Sequence, residues 1–172
     1  VAADIGLRDA PQLGELRWVD ANDFKRFVPK RPASAHKGTF GHVGIIAGST
    51  GYHGAAVLAA RGAACAGVGL VSVFTPAYAP VAAQLQSAMV HPWDANVIHT
   101  LSACTAVVIG PGLLGPDVPE SLRRVAVNLW RESENPIVAD ASALEWISNE
   151  PVPENVVRVV TPHPGEAARM LE

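Results

Sequence analysis

The sequence predicts an α/β fold: a mostly parallel sheet flanked by helices in three α/β/α layers. Three observations predict it. Short apolar runs alternate with helix-length stretches from Gly41 onward, the spacing of parallel βαβ units. Several of those runs end in glycine, proline or an acid, the residues of strand-to-helix junctions. The chain of 172 residues, 49% hydrophobic and 17% charged, has an ordinary globular composition and is long enough for one domain with a real core.

Residues 1–36 differ from the rest of the chain. They carry Pro11, Pro29 and Pro32 among mixed charges, with a short helical candidate over Asp20–Phe27 that Asp20-Ala-Asn-Asp23 can cap. They read as a linker or edge element leading into a domain over residues 37–172. Val43–Ala47 is an apolar run, read as a buried strand, and a glycine-rich loop succeeds it, Gly48-Ser-Thr-Gly51-Tyr-His-Gly54. Ala55–Ala66 is an alanine-rich helix, thin enough to pack closely on a sheet. Gly69–Phe74 is the next strand, stopped by Pro76, and Ala79–Ser87 a helix. Thr105–Ile109 is the third strand, ended by Gly110-Pro111-Gly112. Asp117–Arg131 is a helix whose acids Asp117 and Glu120 open it and whose Arg131 nearly closes it, in agreement with its dipole. Pro136–Ala139 and Val156–Val160 are strands; Ala141–Ile147 and Gly165–Leu171 are helices.

Composition excludes several function classes. The net charge of −3 offers no basic stripe, which argues against a general nucleic-acid binder. No apolar run is long enough to span a bilayer. The start, Val1-Ala2-Ala3-Asp4, shows no signal peptide. Cys65 and Cys104 lie in apolar segments without C-x-x-C spacing, which predicts buried free thiols in a reducing cytoplasm.

In open α/β sheets, ligands bind beyond the carboxyl ends of the strands. The unusual residues collect there and suggest one long crevice. Gly48, Gly51 and Gly54 let backbone approach a ligand, and the helix after them presents free N–H groups suited to a phosphate, carboxylate or carboxamide. The spacing is neither a P-loop nor the dinucleotide fingerprint, and a tight turn without a ligand remains the alternative. Gly110 and Gly112 flank a rigid proline, again either a ligand turn or an ordinary β-to-α turn. Asp140 can hold a hydroxyl or cap the next helix. In Thr161-Pro-His-Pro-Gly-Glu166, two prolines bracket His163, Pro164 suits the first helical position, and Glu166 lies in the first turn. His36 precedes Lys37-Gly38 and could reach a phosphate, and Lys37 is a possible substrate or nucleotide contact. His42, His53, His91 and His99 have no visible partner. No cluster with zinc spacing exists, so no metal site is predicted.

Taken together, His36–Val73 (HKGTFGHVGIIAGSTGYHGAAVLAARGAACAGVGLVSV), Val107–Leu113 (VVIGPGL), Ile137–Leu144 (IVADASAL) and Thr161–Leu171 (TPHPGEAARML) resemble the NAD(P)H-hydrate dehydratase domain of the ribokinase-like superfamily. The resemblance covers Lys37 to Glu172, and Ala3-Asp-Ile-Gly-Leu7 resembles the tail of the epimerase domain fused upstream in bifunctional members. It implies ADP- or ATP-dependent dehydration of hydrated NADH or NADPH through a phosphorylated intermediate, with Mg2+. It also implies substrate contacts at Ala55, Gly112 and His163. The sequence departs from the family pattern where Ser142 replaces the second acid of D-A-D-A-L, where Leu114 replaces the last glycine of G-P-G-L-G, and where Ser87-Ala88 replace a glutamate before Met89. The family's lysine–glycine nucleotide loop and G-G-T-G-D segment, with its aspartate base, are not among these residues. The expectation is that this chain holds part of the substrate pocket, is inactive alone, and self-associates through an exposed sheet edge. A small-molecule kinase of hydroxymethylpyrimidine, thiazole or pyridoxal type and a non-catalytic nucleotide-binding module are the alternatives.

Overall fold

The computed structural model describes residues 20–25, 31–94 and 96–171. The chain divides into two compact units, Val1–Pro32 and Ala33–Glu172. In the first, α1 (Ala21–Phe24) begins at Asp20, whose side chain accepts the N–H groups of Asn22 and Asp23 while the Asp23 carboxylate accepts the Asp20 N–H. The predicted extension to Phe27 falls outside the described residues.

The second unit contains a six-stranded sheet. A short 3-10 turn, Lys37–Phe40, leads into β1 (His42–Ile46). Then come α2 (His53–Cys65), β2 (Leu70–Thr75), α3 (Tyr78–Ala82), β3 (Met89–Pro92) and α4 (Val97–Leu101). The second half runs β4 (Ala106–Ile109), α5 (Glu120–Glu132), β5 (Ile137–Ala139), α6 (Ser142–Ile147), β6 (Arg158–Val160) and α7 (Pro164–Met170). The strand order is β3-β2-β1-β4-β5-β6, every pair parallel.

Alternation along the strands sorts the core into two layers. Ile45, Ala47, Val71 and Val73 face α2 and α3, where Ala56, Val57, Ala60 and Val81 meet them. Ile46, Phe74, Val107, Ile109, Ile137 and Ala139 face the other way, onto Val97 and Leu101 of α4, Leu122, Ala126 and Trp130 of α5, and Leu144 and Ile147 of α6. The three-layer α/β/α arrangement is therefore as the apolar periodicity predicts.

Some expectations need correction. β3 and α4 escaped the sequence reading. β3 is four residues containing His91 and Pro92, and a proline lacking its N–H is tolerated at a sheet edge. The Thr105–Ile109 run is thus the fourth strand, not the third. The helix predicted over Ala79–Ser87 ends at Ala82, because the chain must leave it to form β3. α5 starts at Glu120 rather than Asp117, whose carboxylate is engaged elsewhere. Cys65 is exposed on α2, not buried; only Cys104 is, and burial pushes its thiol up to about 11. His42 and His91 have neighbours: His42 Nε2 lies 2.9 Å from Ser72 Oγ, and His91 stacks on Phe74 at 5.0 Å between centroids.

Candidate active-site crevice

The order β3-β2-β1-β4-β5-β6 reverses direction between β1 and β4, so the loops leaving those two strands diverge to opposite faces and open a crevice. The Gly48–Gly54 loop and the Gly110-Pro111-Gly112 turn are those two loops.

Backbone and small side chains stitch them together. Gly48, at φ +78°, donates its N–H to Pro111 O at 2.8 Å and accepts the Thr75 hydroxyl at 3.0 Å. A Cβ there would lie 2.8 Å from that of Ala56, so only glycine fits. Ser49 is wholly buried; its hydroxyl donates to Gly112 O at 2.6 Å and accepts from Gly115 N at 2.8 Å. Thr50 gives both its N–H and its hydroxyl to the Asp117 carboxylate at 2.8–3.0 Å. Burial opposes the charge on Asp117, but these hydrogen bonds outweigh it and hold the carboxyl below its ordinary range.

Ala55 and Gly112 meet. A Cβ on Gly112, which sits at φ +70°, would be 2.7 Å from Ala55 Cβ and 2.6 Å from Tyr52 O. Gly51, at φ +84°, and Gly54 have open space around them. Gly110 lies against the next strand end, where a side chain would run into Asp140 O. The Asp140 carboxylate does not cap α6; it accepts the Thr161 hydroxyl at 2.8 Å and so ties the end of β5 to the end of β6.

His163 is the N-cap of α7. Its Nδ1 accepts the N–H groups of Gly165 and Glu166 at 3.1 and 3.4 Å, while Glu166 accepts the His163 N–H at 2.9 Å. With Nδ1 accepting, the neutral ring carries its proton on Nε2, 3.5 Å from the second Glu166 oxygen. The ring edge is exposed. Beyond it, a cleft of about 450 Å³ opens between α6 and α7, with Leu114, Leu144 and Met170 as apolar walls and Glu145, Glu166 and Arg169 as charges.

The structure thus joins Ala55 with Gly112, Gly110 with Asp140, and Asp140 with Thr161, in a row along the carboxyl edge that continues to His163 and Glu166. Lys37 stands apart: its carbonyl packs at Gly69, before β2, at the amino edge. About 15 Å of strand separates it from the crevice. Ser49 and Arg169 join the site without a sequence signal, Leu114 and Ser142 join it at positions that depart from the family pattern, and Asp117, read as a helix opener, contacts Thr50 across 67 residues. Among the described residues no group of three or more His, Cys, Asp or Glu side chains is placed to hold a metal ion, and no helix is long and apolar enough to cross a membrane.

Comparison with known proteins locates this arrangement. The pattern of the NAD(P)H-hydrate dehydratase family matches residues 43–172. The chain is 41% identical over 149 residues to the bifunctional NAD(P)H-hydrate repair enzyme Nnr of Coxiella burnetii, covering 84% of the chain and 29% of that enzyme. It is 36% identical to the ADP-dependent (S)-NAD(P)H-hydrate dehydratase of Lactiplantibacillus plantarum, covering 84% of the chain and 54% of that enzyme. The solved ADP/ATP-dependent NAD(P)H-hydrate dehydratase of Bacillus subtilis, co-crystallised with ATP/Mg2+, superposes with a TM-score of 0.72 at 29% identity, over 87% of the chain and 53% of that protein. The chain therefore spans about half, or less, of the length of these relatives.

Proposed function

The chain belongs to the NAD(P)H-hydrate dehydratase family, and from that premise we propose that it supplies the substrate-binding part of an enzyme that repairs hydrated NADH and NADPH. ADP or ATP donates a phosphoryl group to the ring hydroxyl of the S epimer. The C–O bond then breaks, phosphate leaves with that oxygen, the neighbouring ring carbon gives up a proton, and the dihydronicotinamide ring is restored. The observation that carries this reading is the meeting of two glycine-bearing loops at the switch point of the sheet, with Ala55 packed against Gly112 and open space at Gly51 and Gly54.

The residues present bind and orient rather than react. Ala55 and Gly112 offer a side-chain-poor wall, and His163 turns its Nε2 edge outward from a rigid cap. Gly48, Gly51, Gly54 and Gly110 permit close approach of backbone to substrate or nucleotide, and Asp140 and Glu166 order the neighbouring strand ends. Preorganised backbone donors are the groups that stabilise a transferring phosphoryl group. No general base is assigned among these residues, since the Asp140 carboxylate is held by Thr161. Among the described residues no group of three His, Cys, Asp or Glu side chains is placed to hold magnesium. The two-activity Coxiella relative supports an accompanying epimerase domain. Free cysteines support a cytoplasmic setting, and the exposed Val159 and Val160 of β6 support self-association.

The test mixes protein, hydrated NADPH, Mg2+ and either ADP or ATP, and follows the return of dihydronicotinamide absorbance. Turnover is expected from a form extended to the length of the relatives, and binding without turnover from these 172 residues. Phosphorylation of hydroxymethylpyrimidine, thiazole or pyridoxal without any NADPH recovery would contradict the reading.

A further inference from the structure

We propose that Asp117 is a positioning residue: by holding Thr50, its carboxylate fixes the Gly51–Ala55 segment in the shape that receives the substrate. The inference rests on the dehydratase reading, in which that segment forms one wall of the substrate site. Asp117 lies in the loop between β4 and α5, and Thr50 lies 67 residues earlier, in the loop between β1 and α2. The Thr50 N–H donates to both carboxylate oxygens at 2.9 and 3.0 Å, and the Thr50 hydroxyl donates to one of them at 2.8 Å. These hydrogen bonds outweigh burial and favour the ionised carboxylate, so both donors meet a charged acceptor, the stronger kind.

The surroundings are built for this contact. An acid so close to a helix start ordinarily caps it. Yet α5 begins after Pro119 without a side-chain cap, and the Asp117 carboxylate is turned to the other loop. Gly115 makes room for it. A Cβ there would lie 2.6 Å from Asp117 Oδ1 and 2.7 Å from both Ser49 Oγ and Thr50 O, so a side chain at that position would push the two loops apart.

The segment after Thr50 depends on such an anchor. Gly51, at φ +84°, and Gly54 have open space around them, and glycine loses more freedom on ordering than any other residue. Tyr52, the N-cap of α2, makes no side-chain cap. Between Gly51 and Ala55, the hydrogen bonds among the described residues are backbone ones, such as Tyr52 N–H to Ser49 O and Ala55 N–H to Tyr52 O. Thr50 is therefore the last side chain to tie the loop down before Ala55 meets Gly112. Without Asp117, the ligand itself would have to order the segment, at a cost in affinity.

The experiment measures ligand-free amide hydrogen exchange, and affinity for hydrated NADPH by calorimetry, in the chain and in its Asp117→Ala and Asp117→Asn variants. In Asp117→Ala, exchange is expected to rise at Gly51–Ala55 while β1, β4 and α5 keep wild-type rates, and affinity is expected to fall roughly five- to tenfold. Asp117→Asn, which keeps one oxygen for the Thr50 N–H, is expected to recover part of that affinity. Adding Thr50→Val to Asp117→Ala is expected to cost nothing further, because both changes remove the same contact. Wild-type affinity in Asp117→Ala overturns the proposal. So does faster exchange spread over β1, β4 and α5, which would mark a merely structural role. No binding of hydrated NADPH by the wild-type chain would instead bring down the dehydratase reading, and this inference with it.

Discussion

At the residue scale, His163 combines two roles that can be separated. Its Nδ1 caps α7, and its Nε2 edge is free to meet a ligand beside Glu166. His163→Ala removes both, and loss of the cap is expected to cost about 1 kcal/mol in urea unfolding. His163→Asn keeps an acceptor at the cap but not the ring. It is expected to retain stability yet lose affinity for hydrated NADPH, and equal affinity would show that the ring is structural alone. His42 gives a second prediction. Burial lowers its pKa most, the neighbouring His91 lowers it further, and a hydrogen bond to backbone opposes them. The unfolded chain therefore binds this proton more readily than the folded one. Stability is expected to fall as pH drops below about 6.5, and to level off once below the folded value. Unfolding midpoints of wild type and His42→Gln across that range check this, since parallel curves would rule His42 out as the source. The sequence showed His163 clearly, because two prolines and Glu166 mark a helix start locally. It could not show the role of Asp117, because its partner Thr50 lies 67 residues away in the chain.

At the scale of elements, the interior strands and β6 were legible and the β3 edge was not. β1, β2, β4 and β5 are apolar because both faces are covered, and such runs stand out. β3 is a four-residue edge strand, and α4 has only five residues, so its two buried side chains, Val97 and Leu101, are too few to mark a helical period. β6 pairs with β5 and is anchored further by one side chain: Arg158 donates to the carbonyls of Trp130 and Asn135 at 2.9 Å and also reaches those of Leu129 and Ser133. Its guanidinium lies 5.7 Å from the Trp130 ring centroid. The cation thus sits on the last carbonyls of α5, where a helix dipole favours it. Arg158→Ala is expected to destabilise the fold by about 2 kcal/mol, the scale of hydrogen bonds from a charged donor. Arg158→Lys is expected to recover only part of that, since an ammonium cannot span the same fork of carbonyls. Urea titrations check both, and an unchanged midpoint in Arg158→Ala would show that β6 is held by its sheet pairing alone.

At the scale of the molecule, two loops on either side of the switch point are joined through Gly48, Ser49 and Gly112, and Leu114, just after the second loop, lines the α6–α7 cleft. The ribokinase-like fold that the resemblance implied is the one observed. The row of strand ends was legible because parallel strands must all present their carboxyl ends on one side. The position of Lys37 was not, because a residue just before a strand lies at the opposite edge from the residues just after it. The measurement that tests this most directly is amide hydrogen exchange with and without hydrated NADPH. Protection is expected together at Gly48–Gly54, at Gly110–Leu114 and at the start of α7, with the α4–α5 surface unchanged. Binding that protects the α4–α5 surface and leaves those three segments exchanging freely would contradict it.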